Sequence, residues 1–158
     1  MLSFSLGQWG LICVLSGVFA AVLLNIPMYV QPEGYLPAYV AAGGLTAVDP
    51  ADVSTPLAVA VHHVTGTAAA LLYGALVYAL AAILPAGLSL AGVPAIPHLL
   101  GAVGVTLFVY YFFERVAMPR AGGSLSGRRD DVVQQWALSS FIYGTTLALV
   151  VPVFVTQL

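Results

Sequence analysis

The chain has 158 residues, of which 61% are hydrophobic and only 6% charged, with four basic and six acidic side chains. A soluble domain is about 25% charged, so this composition excludes an ordinary water-soluble globule. All four basic residues are arginines and they form no basic patch, which excludes a nucleic-acid partner.

Taken in order, the chain reads as four apolar runs separated by three connectors. The first run extends from about Trp9 to Val30, with Trp9 expected at a membrane interface and Pro27 expected to close the last turn beside Asn25. The single cysteine, Cys13, lies in this run, has no partner for an internal disulfide, and reads as a small apolar position. The segment before residue 30 has no Lys or Arg, so a cleaved signal peptide is not expected. Residues 31–56 form a mixed connector. Its apolar part, residues 36–48, is broken by Pro37, Gly43 and Gly44, is too short to cross a bilayer, and is expected to lie at the interface.

The second run, Leu57 to Leu84, contains no Asp, Glu, Lys or Arg. A helix needs about 20 residues to cross roughly 30 Å of hydrocarbon, and this run exceeds that. The third run, about Pro94 to Met118, follows a short connector, so the two are expected to be antiparallel neighbours. Tyr110 to Phe113 read as an interfacial aromatic belt, with Glu114 and Arg115 marking the exit. Residues 119–131 form a solvated loop. Asp130 and Asp131 open the fourth run, about Val132 to Thr156, where carboxylates complement the free N–H groups of a helix start.

The expected fold is therefore all-α: one polytopic membrane domain, 1–158, with four transmembrane helices (about 9–30, 57–84, 94–118 and 132–156) in an antiparallel bundle. All four arginines flank the third connector. The positive-inside rule places residues 119–131 in the cytoplasm and both termini outside.

Three histidines, His62, His63 and His98, are the cofactor candidates, since imidazoles on different helices ligate haem iron or bind quinones. His62 and His63 sit about 1.5 turns into the second run, whereas His98 sits near the opposite end of the third. At about 1.5 Å per residue the levels differ by roughly 15–20 Å, too far for one shared iron. Neighbouring positions on a helix also point about 100° apart, so one of His62 and His63 is expected to face any given site. A metal site is not expected. Small residues recur every fourth position, as Gly66, Ala70 and Gly74, as Ser140, Gly144 and Ala148, and as Gly17 and Ala21. Such faces let helices approach closely. The hydroxyls of Tyr73, Tyr78 and Tyr143 either bond to cross-helix partners or simply line the core, and the latter is expected. No phosphate-binding glycine loop, CxxC, HExxH or GxSxG is present, and the apolar runs hold almost no carboxylate.

A first helix rich in Gly and Ala ending at a proline, followed by His63, Gly66, Tyr73 and Gly74, resembles the YagU-like group of small four-helix integral membrane proteins of unknown function. The likeness covers the N-terminal half and implies a fold without assigning catalytic residues. The expected role is a small non-enzymatic membrane protein with the lipid bilayer as its surroundings, a self-associating or accessory subunit of a homo-oligomer or larger membrane complex. Two alternatives stay open: a redox-associated protein holding haem b or a quinone through His62, His63 or His98, and a small transporter or channel.

Overall fold

A computed structural model describes residues 4–85, 87–120 and 127–157. It contains α1 (Leu6–Val30), α2 (Leu36–Thr46), a 3-10 turn (Pro50–Asp52), α3 (Thr55–Ile83), β1 (Ser89–Leu90), β2 (Val93–Pro94), α4 (Ala95–Phe112) and α5 (Arg129–Gln157). Beyond Phe112 the α4 chain continues as a π-helical segment, Phe113–Ala117. Four helices are long and apolar enough to cross a membrane: Leu6–Val30, Thr55–Ile83, Ala95–Arg120 and Arg129–Gln157.

Local chemistry explains where the helices begin. Ser5 and Gln8 form a capping box: Gln8 N–H donates to Ser5 Oγ at 3.2 Å, and Ser5 N–H donates to Gln8 Oε1 at 3.0 Å. This cap starts α1 three residues before Trp9, so Trp9 is carried inward. It is 3% exposed, and its indole N–H donates to the Gly74 carbonyl at 3.0 Å. The Trp9 ring thus packs inward on α3 rather than facing outward from the helices. In α3, Pro56 sits in the first turn, where a missing N–H costs nothing. Asp130 and Asp131 occupy the first turn of α5 as expected.

Residues 36–48 depart from a plain interfacial connector. Leu36–Thr46 is a true helix with Pro37 in its first turn, and its Pro37, Ala38, Val40, Ala42 and Gly43 are buried, chiefly against α3. It ends at Ala47, a left-handed residue (φ 57°), where Val48 N–H reaches back to the Gly43 carbonyl. The connector before α4 holds a two-residue hairpin whose turn, Ala91 (φ 50°) and Gly92 (φ 85°), has the double positive φ that suits strand twist. In that short connector the Ser89–Leu90 and Val93–Pro94 pairing thus forms a small clasp ahead of α4. The middle of the loop expected at 119–131, residues 121–126, lies outside the described residues.

Cross-helix contacts fix the register. Down α1 against α3 run Trp9 with Gly74, Gly17 with Ala70, Ala21 with Gly66, and Asn25 with His63. The small-residue face on α3 is thus filled by α1 of the same chain. On α5, Gly144 meets Thr106 of α4. Outward faces are as apolar as inward ones: Leu11, Val22, Leu100, Val103, Phe141 and Leu149 are exposed. Threonines bond the carbonyl four residues back, as in Thr65 to Val61, Thr106 to Ala102 and Thr146 to Ile142, so their hydroxyls need no water.

Charge is confined to one end. Every Asp, Glu and Arg falls within residues 33–52 or 114–131, and Arg128 reaches Glu33 at 3.1 Å, while Glu33 N–H donates to Gln135 Oε1 at 2.9 Å.

Candidate functional site

The three histidines belong to two separate hydrogen-bonded groups. His98, fully buried, donates from Nε2 to the Ala148 carbonyl at 2.9 Å and accepts the Tyr73 hydroxyl at Nδ1. This links α3, α4 and α5 near the hairpin end. His63 donates from Nδ1 to the Val59 carbonyl at 2.8 Å and accepts from Asn25 Nδ2 at 3.2 Å. Asn25 Oδ1 in turn takes the hydroxyl proton of Tyr35. Tyr35 stands in the connector after α1, and its hydroxyl is held above the usual phenol range, first by burial and then by Tyr29 and Tyr39 nearby. Both ring nitrogens of His63 and of His98 are therefore occupied.

His62 differs. Its Nε2 lies 3.0 Å from the Ala21 carbonyl. A carbonyl only accepts, so Nε2 carries the proton, and in the uncharged imidazole Nδ1 is then a bare acceptor. Among the described residues, none bonds to that nitrogen. The His62 and His63 rings touch edge to face, with centroids 5.0 Å apart, and both reach α1. The rings lean together across the helix surface, yet of the two His62 lines the cavity described below and His63 does not.

Tyr143 and Tyr73 lie in the core as expected, and their hydroxyls also bond across helices. Tyr143 donates its hydroxyl to the Gly66 carbonyl, and Tyr73 to His98. Tyr78 is exposed.

Directly beside the Tyr143–Gly66 bond is a cavity of about 300 Å³. Alpha-3 supplies His62, Gly66 and Ala69, and α5 supplies Trp136, Ser140 and Tyr143. Its α4 wall is aromatic, with Phe108, Phe112 and Phe113. Phe113 is buried against Trp136, ring centroids 4.3 Å apart, rather than part of an interfacial belt. The Trp136 indole N–H donates to the Val109 carbonyl at 3.3 Å, at the junction where α4 widens into its π segment. Such widened turns recur at functional sites. The exposed lining residues, Thr65, Ala68, Phe108 and Phe112, all lie on α3 and α4. The mouth therefore opens sideways between these two helices. Nearer the hairpin the gap is closed, since a Cβ on Gly101 would lie 2.6 Å from Val77 Cγ2.

One polar atom in this wall is unsatisfied. Ser140 is 2% exposed and its Oγ has no hydrogen-bond partner. A buried hydroxyl left unpaired costs about 1–3 kcal/mol, and most such groups are satisfied. In sequence Ser140 was legible only as one of several small positions. No pattern separates an unpaired serine from one bonded along its own helix.

Among the described residues, no three of His, Cys, Asp and Glu come together as a metal-ligand set. No protein-family model, curated protein or solved structure matches the chain.

Proposed function

We propose that this chain is a multi-pass membrane protein, an antiparallel four-helix bundle with residues 119–131 cytoplasmic and both termini outside, which binds a ring-bearing apolar molecule of the quinone class drawn from the bilayer. The observation that carries the reading is the unpaired Ser140 hydroxyl in an aromatic-walled cavity with a sideways mouth. Apolar pockets with a few placed polar groups are the usual form of small-molecule sites. A mouth between outward apolar helix faces suits a ligand already dissolved in lipid. The role asked of the chain is binding without catalysis, which agrees with a non-enzymatic accessory subunit.

Haem b receives less support. His63 and His98 have both ring nitrogens engaged, and His62 has one left. The small-residue faces that motivated self-association are engaged within the chain, so they supply no argument for an oligomer. The likeness to YagU-like proteins rests on His63, Gly66, Tyr73 and Gly74, each engaged in packing or hydrogen bonding, and speaks to fold rather than ligand.

The test is organic extraction of the full chain purified in mild detergent from native membranes, followed by mass spectrometry. A quinone-class lipid enriched near one per chain, and lost in Ala69→Phe, is the expected result. Equal traces in the wild type and in Ala69→Phe overturn the proposal.

A further inference from the structure

We infer that the cavity selects the reduced, hydroxyl-bearing form of its ring ligand, the quinol, over the quinone, through His62 and Ser140. This rests on the reading above, and it adds a chemical preference that the apolar walls alone do not impose.

The geometry comes from two cross-helix links. Tyr143 bonds to Gly66, and further along the same two helices Tyr73 and Ala148 meet at His98. Residue numbers rise together on α3 and α5, so the two helices run in the same sense. His62 lies four residues before Gly66 and Ser140 three before Tyr143. At about 1.5 Å per residue these offsets are roughly 6 Å and 4.5 Å. The two polar groups therefore stand at nearly the same level. Spacings of three and four residues also keep each on the same face of its helix as its neighbour in the Tyr143–Gly66 bond. Both residues line the one cavity.

Their hydrogen-bonding capacities are complementary to a hydroxyl. His62 donates from Nε2 to Ala21, which leaves Nδ1 an acceptor. Ser140 Oγ both donates and accepts, and has no partner. A phenolic hydroxyl donates to one and accepts from the other. A quinone carbonyl only accepts, so it satisfies Ser140 and leaves Nδ1 facing a second acceptor. A site built around hydrogen bonds rejects analogues that leave its buried groups unpaired. The aromatic side chains of Phe113 and Trp136 fit the flat ring in either redox form. Ring packing thus supplies affinity, and the polar pair supplies the distinction.

The experiment uses the full-length protein in detergent under anaerobic conditions. Calorimetric titration compares three probes: a decyl-substituted naphthoquinone, its hydroquinone, and the hydroquinone dimethyl ether. The hydroquinone should bind about tenfold more tightly than either of the others. In His62→Leu the hydroquinone and the quinone should bind alike, and in Ser140→Ala the hydroquinone should weaken. Equal wild-type binding of all three probes overturns the hydroxyl preference and leaves the cavity reading standing. Tighter binding of the quinone also overturns it, and retained discrimination in His62→Leu removes His62 from the account. Binding of none of the three overturns both proposals. Should His62→Leu fail to fold, the wild-type comparison of hydroquinone with quinone decides, because the two share every heavy atom and differ in the hydroxyl hydrogens.

Discussion

Gly17 and Ala70 meet so closely that a Cβ built on Gly17 would stand 2.6 Å from the Cβ of Ala70. The same helix contains Gly10, where an added Cβ would meet nothing within 4 Å beyond its own helix. The two glycines should therefore respond in opposite ways to alanine. Gly17→Ala should destabilise by about 1–3 kcal/mol through overpacking. Gly10→Ala should be neutral or stabilise by up to about 1 kcal/mol, as a helix-interior glycine replaced without a clash. Thermal unfolding in detergent, followed by tryptophan fluorescence, compares them. Equal responses would show that the α1–α3 seam is looser than described.

Gly144 and Thr106 form the corresponding contact between α4 and α5, where an added Cβ would run into the Thr106 hydroxyl. Gly144→Ala should lower stability, and Thr106→Ala in the same chain should restore part of it. A double-mutant cycle should give a coupling of about 0.5–3 kcal/mol. Strict additivity would count against the contact.

The Glu33–Arg128 pair holds the connector after α1 beside the start of α5. Cysteines placed at the exposed Pro32 and at Arg120 in a Cys13→Ala background should react with a membrane-impermeant thiol reagent from the cytoplasmic side. A cysteine at Leu88 should react from the other side. Labelling of the Pro32 and Leu88 positions from the same face would overturn the proposed topology. The ion pair itself is part-exposed, so Glu33→Gln should change stability by no more than about 1 kcal/mol.

Tyr35 supplies a pH prediction. Its hydroxyl is raised above the usual phenol value, chiefly by burial, so the folded state holds that proton more tightly than the unfolded chain does. The stabilisation is complete below about pH 10, the ordinary tyrosine value, and is lost as pH rises through the folded value. Melting temperature should fall on the alkaline side in the wild type, and the slope there should be shallower in Tyr35→Phe. Identical slopes would mean that Tyr35 loses its proton as readily in the fold as out of it.

Much of the helical pattern was legible because apolar runs of the required length admit few structures in a chain with so few charges. The separation of His98 from His62 and His63 followed from helix rise alone. The Ser5–Gln8 cap has a local signature, a serine followed three residues later by glutamine, which sets the start of α1 ahead of Trp9. The α2 helix was obscured by Pro37, Gly43 and Gly44, which sit at its first turn and near its end and do not interrupt it. The cavity was not legible at all. It arises where Gly66 and Ala69 present little side chain and α4 widens after Phe112, and a sequence lists the atoms present rather than the space between them. The hydroxyl partners of Tyr73 and Tyr143 were hidden for a related reason: both are contacts across helices with no local pattern.

The confinement of charge to residues 33–52 and 114–131 has a consequence for how such a chain enters a bilayer. The tip joining α3 to α4 contains no ionised side chain, and its hairpin already pairs part of its own backbone. Pushing that tip through hydrocarbon strips water from no ion, which is the most expensive step a translocating loop meets. On the topology proposed above, the α3–α4 pair is thus suited to insert as one unit, with the charged connectors left behind on the cytoplasmic side.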